Sequence, residues 1–80
     1  MSNKDYYRKL IIELRAKVTE ERERKKKDNA SYANLIKHAS SPSSKASYRK
    51  NKIDKAASHD RYIESLKRQI ESAKASLKRC

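Results

Sequence analysis

The chain has 80 residues, and its 22 Lys and Arg against 10 Asp and Glu give a formal net charge of +12 at pH 7. It contains no Gly, no Trp and a single Pro, which excludes a β fold, whose hairpin turns usually require Gly, and favours long exposed helices. With few large aliphatic side chains, one small domain spanning residues 1–80 encloses little core alone, so we expect self-association or a partner.

The first half of the chain carries a heptad repeat, which predicts one long helix over about 3–39. Ser2 or Asn3 is the expected N-cap. The repeat advances in alternating steps of four and three, which keeps one stripe facing a neighbouring helix. Its members are Tyr7, Ile11, Leu14, Val18, Glu21, Lys25, Asp28, Tyr32, Leu35 and Ala39.

The serines around Pro42 predict a turn over about 40–44, because a residue before proline avoids helical geometry and serines compete for backbone hydrogen bonds. A second helix follows over about 45–78, and an earlier start is open because proline is tolerated in a first turn. This helix carries a matching apolar stripe at heptad spacing, which consists of Ile63, Leu66, Ile70, Ala73 and Leu77. The sequence therefore predicts an all-α fold, an antiparallel two-helix hairpin resembling a coiled coil.

A turn centred on Pro42 fixes which residues of the two stripes meet. Val18 lies opposite Leu66, and Leu14 lies opposite Ile70. The predicted helix seam consists of Ile11, Leu14, Val18, Ile63, Leu66 and Ile70. Near the turn we expect Tyr32 and Leu35 to pack against Tyr48, Arg49 and Ile53.

The middle of the stripe is polar, since Glu21, Lys25 and Asp28 face His59 and Asp60 across the hairpin. One interpretation is a solvated, locally splayed seam in which long side chains reach water. The other is a lock on the helix register, because polar groups at seam positions fix alignment and lower stability. A pH switch through His59 is a further, less favoured interpretation.

Four apolar side chains fall outside the stripe and widen the apolar surface beyond what one helix covers. These candidate partner contacts are Leu10, Ile12, Ile36 and Tyr62. They favour a helical bundle completed by self-association or by helices of another protein. The alternative is that isolated exposed apolar residues are normal on protein surfaces.

The residues needed for catalysis or for cofactor and metal binding are missing. Cys80 is the single cysteine, and the two histidines, His38 and His59, lie far apart along the chain, so we expect no nucleophile with an adjacent base and no zinc site. Glu20 and Glu21 fit ion pairing on a helix surface. We therefore expect no enzyme, no cofactor and no metal.

Positive charge is concentrated around the turn, where residues 22–61 carry 12 basic and 4 acidic groups. The candidate polyanion contacts are Lys25, Lys26, Lys27, Arg49, Lys50 and Lys52. This cluster supports an alternative function as a basic nucleic-acid-binding hairpin, although a solvated basic surface explains it as well. Membrane association ranks lower, because the opposite helix already covers the aliphatic stripe.

Nothing in the chain resembles a membrane span or a signal peptide. Cys80 has no internal partner for a disulfide. We expect a cytoplasmic protein. Export by a route that needs no signal peptide is the open alternative.

The size and the two-helix layout around Ser41-Pro42-Ser43-Ser44 resemble the small helical-hairpin proteins of Gram-positive type VII secretion, including partners of LXG toxins. The resemblance covers the whole chain and is architectural: the Trp-x-Gly turn of that family is absent, and Leu66 stands where an acidic residue would follow Tyr62. Type III secretion needle subunits and co-chaperones are similar in the same way. Either resemblance implies a noncatalytic partner or chaperone that covers apolar helices of a secreted protein.

Overall fold

The structure is a computed structural model that describes residues 3–80. In that range the chain forms two α-helices, α1 (Asn3–His38) and α2 (Pro42–Arg79), and no strand. The prediction of an all-α helical hairpin is confirmed. Ser2, one of the two expected N-caps, lies outside the described residues.

Charges at the helix ends suit the helix dipoles. Asp5 lies in the first turn of α1, and Lys37 and His38 lie in its last turn. Lys78 and Arg79 close α2. An acidic group near the positive N-terminal end and basic groups near the negative C-terminal end each stabilise a helix modestly.

The turn between the helices is shorter than predicted, because Ser41 caps α2. Ser41 has an extended backbone, and its side-chain oxygen accepts a hydrogen bond from the backbone N–H of Ser44 at 3.1 Å. Pro42 then occupies the first turn, where a missing N–H is no loss. As a result α2 begins at Pro42, inside the segment 40–44 that the sequence assigned to the turn.

The hairpin is a rod that measures 60 × 14 × 11 Å over its Cα atoms and has a radius of gyration of 18.2 Å. A compact domain of this length would have a radius of about 12 Å. Each helix therefore packs against the other alone, and the core is a single layer of side chains.

The buried apolar layer lies at the open end of the rod, away from the turn. It contains all six predicted seam residues together with Ala73, and Tyr7, Leu10 and Leu77 pack against it. By contrast, no residue between 22 and 58 is buried. We call residues 22–58 the turn half and the rest of the rod the open half.

The apolar packing predicted near the turn is wrong. Leu35 is 43% exposed and Ile53 is 68% exposed, while Tyr32 and Tyr48 are only half-buried. The α2 residues expected to meet Leu35 and Tyr32 include Arg49, which is exposed. A long basic side chain keeps its charged end in water and therefore does not complete a buried apolar layer.

Replacing Ser41 with Ala should destabilise the hairpin by about 1 kcal/mol, because the first turn of α2 loses its side-chain acceptor. Urea unfolding followed by circular dichroism measures the change. The matched control is Ser43→Ala, since Ser43 is exposed and makes no side-chain hydrogen bond within residues 3–80. Equal stability of the two variants would contradict the capping role.

Candidate interaction surface

The polar middle of the seam centres on His59, which is only 9% exposed. Its Nδ1 contacts the Glu21 carboxylate, and its Nε2 lies 2.6 Å from a carboxylate oxygen of Asp28. An ionised carboxylate only accepts hydrogen bonds, so both ring nitrogens can donate at once only when the imidazole is protonated. The arrangement therefore fits a positively charged His59 between two carboxylates of α1.

The two buried partners shift each other's protonation. The hydrogen bond to Glu21, and after it the one to Asp28, raises the pKa of His59, while burial opposes this shift. The hydrogen bond to His59 in turn lowers the pKa of Glu21. Arg24, 3.2 Å from the second oxygen of Glu21, lowers it further. Both shifts favour the charged pair.

A second ion pair crosses the seam beside this cluster, where Lys25 Nζ lies 2.7 Å from a carboxylate oxygen of Asp60. We call these five residues the polar waist: Glu21, Lys25, Asp28, His59 and Asp60. Their cross-helix pairing favours the interpretation as a register lock over that of a splayed seam. Glu20 and Glu21 both pair with Arg24 along α1, as expected. Glu21 differs in being only 6% exposed and in bonding to the opposite helix as well.

The pKa shifts at the waist predict a pH window of greatest stability. Since the pKa of folded His59 is raised, its contribution is fully present below about pH 6.5 and is lost as pH rises through the raised value. Since the pKa of folded Glu21 is lowered, its contribution is present above about pH 4.3 and is lost at lower pH. The waist should therefore stabilise the hairpin most between these two values.

The variant His59→Gln should lower the free energy of unfolding at pH 6 by about 1–2 kcal/mol, since two charge-assisted hydrogen bonds weaken. At pH 9 the difference from the unchanged protein should shrink. Thermal unfolding at both pH values measures this. His38→Gln is the control, because His38 is exposed and lies outside the polar waist, and it should change the pH profile less than His59→Gln does. A deficit of the same size at both pH values would show that the charge on His59 is irrelevant.

The structure places the four candidate partner contacts differently. Ile12 is 66% exposed and Tyr62 is 45% exposed, while Ile36 is half-buried. Leu10 departs from the expectation, because it is half-buried and packs on the open-half core. It flanks the seam closely enough to extend the core.

Sequence reasoning missed two of the most exposed apolar side chains, Tyr6 at 61% and Ile53 at 68%. A signal for Ile53 was present: Ile12 and Ile36 each directly follow a stripe residue of α1, and Ile53 stands one residue beyond Lys52, which lies on the corresponding stripe of α2. Because Ile53 was expected to pack against α1, it was not counted among the candidate partner contacts.

Two grooves with apolar floors and basic rims run between the helices. The turn groove, of about 520 Å³, is lined by Lys25, Asn29, Ile36, Arg49, Lys52, Ile53 and Ala56. The open-end groove, of about 430 Å³, is lined by Arg8, Ile11, Ile12, Arg15, Lys74 and Leu77. Every charged residue in both linings is basic.

A third, smaller groove of about 210 Å³ contains no charged side chain. Its lining is Tyr7, Leu10, Leu14, Gln69, Ser72, Ala73 and Ser76. A basic rim is therefore not a feature of every groove on this basic chain.

The six candidate polyanion contacts do not form one patch. Three of them, Lys25, Arg49 and Lys52, meet at the turn groove. Lys25 is already paired with Asp60. Lys26, Lys27 and Lys50 are exposed elsewhere on the turn half.

Within residues 3–80, no group of three or more His, Cys, Asp or Glu side chains is placed to hold a metal ion. At the waist, both ring nitrogens of His59 already contact carboxylates. In the same described range, neither helix includes a stretch long and apolar enough to cross a membrane.

No protein-family model, no curated protein and no solved structure matches this chain.

Proposed function

We propose that the chain is a noncatalytic interaction protein that binds other helices and thereby completes a helical bundle. The observation that carries this proposal is the exposure of Ile12 and Ile53, at 66% and 68%, on a rod whose core is one layer thick. Both side chains border grooves that run between α1 and α2. The bound helix comes from a second copy or from another protein.

The energetics support a helix as the occupant. Burying an Ile side chain is worth roughly 1.5–3 kcal/mol, and the two-helix rod leaves several large apolar groups without cover. A helix docked between two others presents residues at matching intervals to both of them. Such contacts are the ordinary means by which a hairpin becomes part of a bundle.

The resemblance to secretion hairpins suggests a biological setting for this proposal. In that setting the chain acts in the cytoplasm as the partner or chaperone of a secreted protein, and covers apolar helices of that protein before or during export. This setting rests on the layout of the hairpin alone.

Binding of nucleic acid is the second candidate function. It is supported by Lys26, Lys27 and Lys50, which are exposed and form no ion pair within residues 3–80. It ranks second because no aromatic ring lines the basic turn groove, and stacking on aromatic rings is a common means of holding single strands.

Light scattering coupled to size-exclusion chromatography in about 0.5 M salt separates the two functions, because exposed charges are largely screened there. The probe is a neutral amphipathic helical peptide with Leu at heptad a and d and Gln at the flanking positions. We expect the chain to form a dimer or larger species, or a complex with the peptide. The variant Ile12→Asp/Ile53→Asp should lose either assembly and keep its helicity.

The matched control for that variant is Asn51→Asp/Ser58→Asp, which adds the same charge at exposed positions outside the grooves. It should assemble like the unchanged protein. A helical monomer that ignores the peptide, and that binds nucleic acid as the salt is lowered, would replace the proposed function with the second candidate.

A further inference from the structure

The two basic grooves lie on the same face of the rod. Numbering the seam as heptad a and d positions makes Ile11 an a residue and Leu14 a d residue, and each groove then holds e residues of both helices. The e residues of the open-end groove are Arg8, Arg15 and Lys74, and those of the turn groove are Asn29, Ile36 and Ile53. In an antiparallel pair the e positions of both helices flank one side of the seam.

The uncharged groove lies on the opposite side, because it holds the g residues Leu10, Gln69 and Ser76. We call the side with both basic grooves the e face. The e face thus combines apolar floors with basic rims along the rod, and the groove on the other side does not.

Basic residues of both helices line each groove of the e face. Arg8 of α1 and Lys74 of α2 line one groove, and Lys25 of α1 lines the other together with Arg49 and Lys52 of α2. Flanking positions normally carry opposite charges that pair and set the orientation of the helices. Here the flanking residues Arg8, Arg15 and Lys74 are all basic. The basic residues of the turn groove, Lys25, Arg49 and Lys52, lie at a and d positions of the seam itself, so neither groove has an acidic residue in its lining.

Several of these basic groups have no acidic partner in the hairpin. Lys25 pairs with Asp60, Arg8 with Asp5 and Lys74 with Glu71. Arg15, Arg49 and Lys52 form no ion pair within residues 3–80. Each groove therefore keeps at least one basic group for a ligand.

We propose that the e face binds an acidic amphipathic helix of another protein, whose apolar residues contact Ile12 and Ile53 and whose carboxylates pair with Arg15, Arg49 and Lys52. This inference rests on the proposed function and names the class of partner. A second copy of this chain is a poor occupant, because each copy carries a net charge of +12 and like charges at an interface are strongly unfavourable.

The spacing of the grooves sets the length of the partner helix. From Arg8 in the open-end groove to Ile36 in the turn groove, α1 advances about 42 Å at 1.5 Å per residue. A partner helix of about 28 residues therefore reaches both grooves. A shorter helix engages only one of them.

The test uses three synthetic peptides of 28 residues, each with Leu at heptad a and d. They differ only at e and g, where one carries Glu, one Gln and one Lys. Fluorescence anisotropy at 0.15 M salt measures their binding to the full chain. We expect the Glu peptide to bind at least tenfold more tightly than the Gln peptide, and the Lys peptide not to bind.

A matched pair of variants then locates the site. The variant Arg15→Glu/Arg49→Glu/Lys52→Glu reverses three charges on the e face, and Lys17→Glu/Lys27→Glu/Lys55→Glu reverses three exposed charges outside the three grooves described above. Both variants have the same net charge. The first should weaken binding of the Glu peptide about tenfold or more, since three pairs are lost, and the second should change it less than threefold.

The apolar contacts need their own control. Ile12→Ser/Ile53→Ser should also weaken binding of the Glu peptide about tenfold, and Tyr6→Ser, at an exposed position outside the three grooves, should not. If the isoleucine variant binds as well as the unchanged protein, the contact is electrostatic only and the e face is not a helix site.

Other outcomes would overturn the inference. Equal losses in the two charge variants would mean nonspecific attraction. A dimer at 0.5 M salt that dissociates when Ile12 and Ile53 are replaced would assign the face to a second copy. If the Gln peptide binds as tightly as the Glu peptide, the acidic partner is refuted while the proposed function stands; if the chain neither binds any peptide nor self-associates, both fail.

Discussion

The hairpin depends on one layer of seven apolar side chains packed between α1 and α2 in its open half. A rod 14 Å by 11 Å across has no room for a second layer, so each buried aliphatic side chain contributes a large share of the total stability, at roughly 1.5–3 kcal/mol for a fully buried Leu or Ile. The layer ends where Glu21 and His59 take the seam positions next to Val18 and Ile63. From there to the turn, ion pairs and the connection itself hold the helices together.

The polar waist has a different role from the layer beside it. Buried charges add little net stability, since desolvation offsets their attraction, but removing one partner leaves the other unpaired at a large cost. A slip of the helices would separate His59 from Glu21 and Asp28 at once, whereas aliphatic side chains tolerate new neighbours. The waist therefore selects one register, and this register brings the residues of the e face together. The turn half has no buried apolar layer, and Ile36 and Ile53 lie near basic side chains at its surface.

The heptad pattern was enough to predict the all-α hairpin, because apolar residues at steps of three and four leave a helix few other ways to bury them. The same pattern placed Leu14 and Leu66 in the seam and set Glu21 against His59. It could not predict where the layer stops: Leu35 lies on the stripe and is nevertheless exposed, since burial depends on what the opposite helix supplies. It did not decide between a turn over 40–44 and a start of α2 at Pro42, which the Ser41 cap determines. It also did not show the basic rims, which form where residues of both helices come together.

Amide hydrogen exchange followed by mass spectrometry tests the central claim, that the buried apolar core is confined to the open half of the hairpin. Amides in segments 11–21 and 59–73 should be the best protected in the free chain, and those in 25–36 and 45–56 should exchange markedly faster, because local opening there exposes no buried apolar layer. Uniform protection along both helices up to the turn would contradict the account, since it would require a core in the turn half.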